Sequence, residues 1–333
     1  MGNNYLKVFF SVSGTITNIQ VDDQNHFNQY FMALGASVIG FKNFIRPVIA
    51  VDACHLKGRY KGRLFIATSM DGNGRIFPIA FGVGAIESDE YWSWFFMNLR
   101  RAVGAVEDLV VISDRHPSIE KACRETFPNA VYIICMYHLG MNMKARFKVK
   151  AEEFLYRAAK AYNTVDFEEA IHYVRNNNKP VYDYLMDAEP RKWARCYFPS
   201  NRYSIMTTNI AESMNAVLRK AREFPLIGML ETIRTMLQSW FHDRYRDAEA
   251  MPGPMTQYVE KKLTKRDDYS RRFKANPITQ SRFHMIDGFR NARVDILNKT
   301  CTCRVFDLNQ IPCDHAIRAC RERGQSIYAL CSR

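Results

Sequence analysis

The sequence lacks the long apolar run that a membrane-spanning helix requires. None of its stretches reaches about 18 uninterrupted apolar residues. Residues 1–20 hold one short apolar patch, at 8–12, and lack the basic leader of a secretory signal. These absences predict an intracellular protein with no membrane partner, and disulfides are rare in that compartment. The nine cysteines are therefore better explained as metal ligands, free core thiols or reactive groups.

Acidic residues are the scarcer charge in this chain. It has 34 Asp and Glu against 47 Lys and Arg, which gives a formal charge of +13 and a pI near 9.3. Such an excess favours a polyanionic partner such as nucleic acid, although an ordinary basic soluble protein is an alternative. Hydrophobic residues make up 47% of the 333 residues, enough for a sizeable core. At about 100–200 residues per domain, this length predicts two or three domains.

The chain also lacks internal repeats and low-complexity tracts, so its organisation is inferred from hydrophobic patterning. A Gly- and Asn-rich turn at 71–74 predicts a hairpin, and Pro117 suits the first turn of a helix. Three antiparallel strands followed by helix-linked parallel strands predict an α/β fold with a ribonuclease-H-like mixed sheet. The predicted strands are 47–53, 64–70, 76–83, 109–113 and 131–134, and the predicted helices between the last three are 91–103 and 118–127.

The other segments complete a predicted division into four parts. Apolar residues at helical spacing between 138 and 195 predict an all-α insertion, and Thr208 is suited to cap a helix at 210–222. The charged stretch 261–274 is suited to touch phosphates, or it is a solvated helical face or linker. The parts are a lead-in segment at 1–45, the sheet domain at 46–250 with its insertion at about 139–205, a basic linker at 251–280 and a cysteine-containing module at 281–333.

Two acids follow strands of the predicted sheet. Asp52 lies within or just after the first strand, and Asp114 directly follows the fourth. If these strands are neighbours, both carboxylates project into one site, and buried carboxylates side by side need a compensating cation. Either acid alone is better explained as the cap of the turn or helix that follows it. Their joint placement favours a site for divalent ions such as Mg²⁺ or Mn²⁺, which prefer oxygen ligands.

Such a site suits phosphoryl transfer on nucleic acid. That chemistry uses carboxylates to hold two divalent ions about 3.5–4 Å apart, one at the attacking oxygen and one at the leaving oxygen. A third acid, Glu212, lies early on an amphipathic helix, where an acidic side chain also interacts favourably with the helix dipole. From the residues alone, this local role is the stronger explanation of Glu212.

Several short blocks, in order and with suitable gaps, resemble those of Mutator-like element (MULE) transposases. The resemblance runs from about residue 21 to the end of the chain. Residues 52–58 and 112–116 are similar to the blocks that carry the first and second catalytic acids, and 207–215 to the block of the third. Further similar blocks are 71–73, 77–81, 92–95, 127–130 and 135–139.

This resemblance implies both a fold and a reaction. The implied fold is ribonuclease-H-like with a helical insertion between the second and third acids, which the helices predicted at 139–205 fit. The implied roles of Asp52, Asp114 and Glu212 are to bind two divalent ions for hydrolysis of DNA ends and attack of the freed 3′-hydroxyl on target DNA. DNA is then the partner and the nucleus the expected location, while a homo-oligomer is left open. Family members usually carry an N-terminal zinc-type DNA-binding domain, and we expect this chain to start after it.

A Cys-x-x-His element of the same family is matched by Cys135 and His138. A pair cannot complete a tetrahedral zinc site, although Cys54 and His55 could in principle supply the missing ligands. The favoured explanations are that His138 positions the active site or the insertion and that Cys135 packs in the core.

Four residues near the C-terminus have the spacing of zinc ligands. Cys301 and Cys303 form a Cys-x-Cys pair, and Cys313 and His315 form a Cys-x-His pair after nine intervening residues. Three thiolates and one imidazole satisfy the tetrahedral preference of Zn²⁺, and the ion would be structural because protein fills all four positions. The spacing and flanking residues resemble the SWIM zinc finger, which commonly follows MULE catalytic cores.

Three functional hypotheses follow. The first is a DDE-type transposase, active or a truncated or inactive copy. The second is a domesticated, non-catalytic zinc-finger transcriptional regulator that binds DNA, related to the far-red-response type. The third, a ribonuclease-H-like nuclease acting on RNA or hybrids, is disfavoured by the helical insertion and the SWIM-like tail.

Overall fold

A computed structural model of the chain describes residues 14–150, 152–198, 205–286 and 291–331. The apolar patch at 8–12 lies outside these residues. The chain divides into two compact units: the first comprises Met1–Leu139 and Thr207–Ala250, and the second comprises Gly140–Met206 and Met251–Arg333. Each unit therefore contains two separate stretches of sequence.

A seven-stranded mixed sheet forms the centre of the first unit. Its order is β1-β2-β5-β4-β3-β6-β7, with parallel pairing between β3 and β6 and between β6 and β7, and antiparallel pairing elsewhere. All five predicted strands are confirmed. The strands are Ile16–Val21 (β1), Phe27–Ala33 (β2), Val48–His55 (β3), Arg63–Met70 (β4), Ile76–Gly84 (β5), Val110–Ser113 (β6) and Val131–Ile134 (β7).

The lead-in segment contributes more to this sheet than the sequence analysis assigned to it. Strands β1 and β2 extend the antiparallel edge, where β2 pairs with β5, and the helix Gly35–Phe44 (α1) follows them. The last five residues of β2 are buried, whereas the edge strand β1 is half-buried throughout. Half-burial of β1 and the polar Asn28 and Gln29 in β2 weaken the apolar pattern, so these strands were not predicted.

Helices cover both faces of the sheet. On one face, α1 packs with the helices Asp89–Val103 (α2) and Pro117–Thr126 (α3) in a core that includes Trp92, Phe95 and Phe96. Pro117 begins α3, as predicted. The other face is covered by two helices from the later stretch of sequence. The helix Asn209–Val217 follows Met136–Phe147 (α4) and the short helices of the second unit, and Leu226–Glu249 comes after it.

The second unit contains the predicted helical insertion. Its described elements are a π-helical turn Glu152–Tyr156 and the helices Arg157–Lys160 (α5), Thr164–Asn177 (α6), Lys179–Asp187 (α7) and Pro190–Trp193 (α8). Asn163 and Asn178 cap α6 and α7 by accepting a hydrogen bond from a backbone N–H three residues on. Helices Asn209–Val217 and Leu226–Glu249 of the first unit are then α9 and α10.

A separate four-stranded antiparallel sheet, in the order β11-β10-β9-β8, lies in the C-terminal part of the second unit. It is accompanied by the helix Gln257–Ser270 (α11), within the stretch predicted as a basic linker. Val259 and Leu263, four residues apart, turn one side of α11 towards Ile311 and Ile317, which gives the helix a buried side. The other elements are Lys274–Pro277 (β8), Arg282–Ile286 (β9), Ala292–Asp295 (β10), Thr300–Cys301 (β11), Val305–Asn309 (α12) and Asp314–Glu322 (α13).

Among the described residues, no helix combines the length and the apolar character needed to cross a membrane.

Candidate active site and metal centre

Asp52 lies on β3 with its side chain on the sheet face covered by α9. Side chains alternate along a strand, and Ile49 and Val51 belong to the core against α2 and α3. Ala50 points the other way and packs against Ile210 and Ala211 of α9. Asp52, two residues further along, therefore shares the face of Ala50.

Asp114 directly follows β6, the parallel neighbour of β3. The pairs Val48–Val110, Ile49–Val111 and Ala50–Ile112 are in register with an offset of 62 residues. The same offset places Asp114 beside Asp52. Paired residues of neighbouring parallel strands project from the same face, so the two acids share the edge and the face that the sequence predicts.

Glu212 reaches this face from α9. Its Oε1 lies 3.1 Å from the Thr208 hydroxyl, which can donate to it, and 3.7 Å from Nε2 of His138. Its negative charge raises the pKa of Asp52. The structure thus brings the three predicted acids to one site, although Asp52 and Glu212 are 160 positions apart in the sequence.

The carboxylate of Asp52 is held by two hydrogen bonds. Its Oδ1 accepts from the backbone N–H of Ala53 at 2.9 Å, and its Oδ2 accepts from Nδ2 of Asn215 at 2.6 Å. Burial, and then the charge of Asp114, nevertheless raise the pKa of Asp52 to about 7. The site therefore concentrates negative charge that a divalent cation would neutralise, and its oxygen donors are those that Mg²⁺ and Mn²⁺ accept.

Asn215 is the last residue of the family-like block 207–215, but the sequence did not predict it as a site residue. It lies one helical turn after Glu212 on α9, so both side chains meet the same face. Its Oδ1 is buried without a hydrogen-bond partner among the described residues. The i, i+3 spacing from an acid on an amphipathic helix was the available sequence signal.

Cys135, His138 and Glu212 all lie within hydrogen-bonding distance of the Thr208 hydroxyl. Thr208 thus connects Cys135 and His138 to the acid site. The Cys135 thiol accepts from the backbone N–H and the hydroxyl of Thr208, both at 3.2 Å. That hydroxyl also lies 3.3 Å from Nδ1 of His138. Thr208 occupies the N-cap position of α9, but its side chain does not cap the helix as predicted, because these partners engage it. Its single proton can serve only one of them at a time.

The electrostatics of this network favour charge separation. A hydrogen bond with Cys135 raises the pKa of His138 to about 9 despite partial burial. Burial alone would raise the pKa of the Cys135 thiol, but hydrogen bonds from His138 and Thr208 lower it below its usual value. The resulting imidazolium beside Glu212 partly offsets the negative charge of the acids.

Two groups of metal-binding side chains in the described part of the chain have ligand atoms within 4.8 Å of one another. One is Cys135, His138 and Glu212; the other is the C-terminal cysteine cluster. Asp52, Asp114 and Glu212 do not form such a group. A group with this spacing fits a single ion. Two ions about 3.5–4 Å apart require a wider spread of ligands.

The four predicted zinc ligands come together in the second unit. Cys301 lies on β11, Cys303 lies on the turn after it, and Cys313 and His315 begin α13. Their ligand atoms all lie within 4.8 Å of one another, with Nδ1 of His315 3.7 Å from Sγ of Cys301 and 4.0 Å from Sγ of Cys313. This arrangement fits one tetrahedral zinc ion.

The pKa values of the three thiols also indicate a cation site. The hydrogen bond between Cys301 and Cys303 raises the pKa of Cys301 and lowers the pKa of Cys303. Burial raises the pKa of Cys313 well above its usual value. Three crowded thiols cannot all ionise unless a cation shares their charge.

Two known family models match parts of the chain. Residues 48–142 match the MULE transposase domain, and this range includes Asp52, Asp114 and the Cys135–His138 pair. Residues 287–324 match the SWIM zinc finger and include its four candidate ligands. Glu212 lies outside both matches.

Similar proteins include insertion-sequence transposases from bacteria. The transposase for insertion sequence element IS1201 of Lactobacillus helveticus is 26% identical over 184 residues, which cover 51% of this chain and 49% of the relative. The transposase for insertion sequence element IS256 in transposon Tn4001 of Staphylococcus aureus is 25% identical over 202 residues, or 54% of this chain and 49% of the relative. The chain thus spans about half the length of the curated relatives it matches. It carries a match to the MULE transposase domain followed by a match to the SWIM zinc finger, and its relatives are insertion-sequence transposases.

Proposed function

We propose that this chain contains the catalytic core of a DDE-type DNA transposase. Asp52, Asp114 and Glu212 would hold two Mg²⁺ or Mn²⁺ ions for DNA end hydrolysis and strand transfer. The observation that carries the proposal is the in-register pairing of β3 with β6, which sets Asp52 beside Asp114 under the helix that bears Glu212. The insertion-sequence transposases among its relatives support the same reaction class.

The strand order supports a ribonuclease-H-like assignment of the sheet. Three antiparallel strands, β3 to β5, are followed by β6 and β7, which are parallel to β3. The helices α2 and α3 provide the connections of the parallel part. The domain limits of 46–250 and 281–333, with the insertion at about 139–205, belong to the same proposal.

The ions would supply Lewis-acid stabilisation of the attacking and leaving oxygens. The residues of the chain hold the ligands in place for that role. Asn215 and the N–H of Ala53 orient the Asp52 carboxylate, and Thr208 lies within hydrogen-bonding distance of Glu212. Protonated His138 contributes positive charge beside Glu212 and limits repulsion among the acids. The second unit would hold structural zinc through its three thiolates and one imidazole.

A cleavage assay on supercoiled plasmid DNA with Mg²⁺ or Mn²⁺ tests this proposal. The wild-type chain should nick and linearise the plasmid. Asp52→Asn and Glu212→Gln should lower the rate at least about 100-fold, because losing a direct metal ligand should cost no less than losing a supporting residue. Glu125→Gln is the matched control, since Glu125 is an exposed acid on α3.

The outcomes separate the hypotheses. Equal cleavage by the wild type and both triad variants would exclude Asp52 and Glu212 as metal ligands. DNA binding by a wild-type chain that does not cleave in either metal would favour the regulator of the far-red-response type. Nuclear location and self-association stay predictions, testable by microscopy of the tagged chain and by sedimentation.

A further inference from the structure

The loop at 56–62 is a basic surface that the proposed catalysis leaves without a role. It connects β3 to β4 and starts four residues after Asp52. Its Lys57, Arg59 and Lys61 are exposed, and no ion pair within the described residues engages their side chains. The ring of Tyr60, between the last two cations, is 67% exposed.

Arg222 fixes this loop to the element that carries Glu212. The carbonyl oxygen of Arg222 accepts from the N–H groups of Lys57 at 2.8 Å and Gly58 at 3.1 Å. Its guanidinium, which is buried, donates to the carbonyls of His55 at 2.9 Å and Asn215 at 3.0 Å. The loop and the end of α9 are therefore one hydrogen-bonded unit.

Two glycines allow the backbone to approach this closely. A Cβ on Gly58 would lie 2.5 Å from the carbonyl oxygen of Glu223. Gly62 has a φ of +153°, and a Cβ there would lie 2.6 Å from the carbonyl oxygen of Gly84. A loop whose charges only face solvent needs no such fixation. The two glycines therefore indicate that the position of this loop matters as well as its charge.

A second basic segment lies beside the fixed loop. Arg219 and Lys220 are exposed on the turn between α9 and Arg222, and neither forms an ion pair within the described residues. Glu223, on the same turn, is exposed and offsets one of these charges. Like charges held together repel one another, and a polyanion relieves that repulsion.

We propose that loop 56–62, with Arg219 and Lys220, binds the phosphate backbone of DNA next to the bond that is cut. The proposal rests on the proposed function, since the site of cleavage is the acid cluster. At a strand rise of about 3.3 Å per residue, the loop starts about 13 Å beyond Asp52. Along the axis of a duplex, where each strand presents one phosphate about every 3.4 Å, that distance spans about four phosphates of a strand. The face of Tyr60 is suited to stack on a base exposed at a cut end.

Fluorescence anisotropy with a labelled DNA duplex tests this binding without added Mg²⁺ or Mn²⁺, where no cleavage occurs and structural zinc stays in place. The probe is a 30-base-pair oligonucleotide titrated with the full chain at several KCl concentrations. The combined variant K57Q, R59Q and K61Q should bind at least tenfold more weakly at about 0.1 M salt. Because each phosphate contact contributes about 0.9 to the slope of log K against log salt, the slope should shrink by about 2.7.

The matched control removes the same number of charges from the opposite side of the sheet. K42Q, R101Q and R124Q change exposed cations on α1, α2 and α3. The net charge equals that of the loop variant, so an effect of overall charge would be the same in both. Equal slopes for the two triple variants would overturn the proposal.

A second variant separates position from charge. Gly58→Ala keeps every cation but forces the loop away from Glu223. It should weaken DNA binding several-fold in a chain that melts as a folded protein. Wild-type affinity in Gly58→Ala would show that fixation of the loop is not needed, and would overturn that part of the proposal.

Failure of this proposal can be told apart from failure of the proposed function. Asp52→Asn should lose cleavage without any loss of DNA affinity, because it removes a negative charge beside the bound phosphate. A wild-type chain that cleaves DNA, with a loop triple variant that binds and cleaves equally well, would overturn the loop proposal alone. In the opposite outcome, the wild-type chain never cleaves DNA, and the loop variant alone loses DNA affinity. That result would overturn the catalytic proposal and retain the loop as a DNA-binding surface.

Discussion

Replacing Asp52 by Asn should stabilise the metal-free protein while abolishing metal-dependent function. Burial and the neighbouring Asp114 raise the pKa of Asp52 from 3.8 to about 7. The unfolded chain ionises this group near pH 4, whereas the folded chain resists ionisation up to pH 7. The folded state is therefore penalised as pH rises from 4 to 7, and the penalty is complete above pH 7.

The size of the effect follows from the shift. A change of about 3 pKa units corresponds to about 4 kcal/mol, and the partial exposure of Asp52 makes this an upper limit. Asn is neutral and of nearly the same shape. Its new N–H groups also find a partner, because rotation of the Asn215 amide presents the unpaired Oδ1 to residue 52. A stabilisation of half this upper limit, about 2 kcal/mol, would raise the melting temperature by about 4–8 °C in a domain of this size.

Thermal unfolding without added divalent ions, at pH 5 and pH 8, measures this difference. Asp52→Asn should melt above the wild type at pH 8, with a much smaller gap at pH 5. Added Mn²⁺ should raise the melting temperature of the wild type and leave the variant nearly unchanged. The exposed Asp23→Asn serves as the control. The reasoning fails if Asp52→Asn is no more stable than the wild type at pH 8, or if its advantage is the same at both pH values.

Two further predictions concern the supporting residues. Cys313→Ser should lose the single zinc equivalent, measured by metal analysis, and lower the melting temperature of the second unit. The control Cys320→Ala, outside the cluster, should keep its zinc. Zinc retained by Cys313→Ser would refute the ligand set. Thr208→Val has the same shape but removes the one hydroxyl proton that Cys135 and Glu212 share. It should therefore lower the free energy of unfolding by about 1–3 kcal/mol, measured by urea denaturation. The less buried Thr207→Val is its control, and an equal loss in both variants would argue against the network.

The central sheet was predictable because its strands are buried on both faces. The buried segments Val48–Val51 of β3 and Val110–Ile112 of β6 are continuous apolar runs, and the turn between β4 and β5 has Gly74 at a φ of +77°. The edge strand β1 was missed because it is half-buried, and its neighbour β2 because Asn28 and Gln29 interrupt its apolar pattern. Helix α11 was taken for a linker because its basic residues mask the two apolar positions that it buries.

The candidate sites were predictable to different extents. The zinc ligands lie within 15 residues of one another, so spacing alone indicates a common site. Asp52 and Asp114 required a correct strand order, which the helix-linked pattern supplied. Glu212 could be assigned only by resemblance, because the contact of α9 with β3 is a tertiary one that no local pattern reports. Asn215 and Arg222 were missed for the same reason.

The two candidate metal sites should depend on their ions in different ways. The zinc ligands lie in a small sheet module whose core includes Cys301 and Cys313 themselves, so removal of zinc should disturb packing and charge together. The acids instead stand at the edge of a sheet whose large apolar cores exclude them. Loss of a divalent ion there should leave the fold intact and uncover only the burial and charge repulsion that raise the pKa of Asp52. A mild chelator should therefore abolish cleavage at concentrations that leave the first unit folded, whereas a zinc-specific chelator should unfold the second.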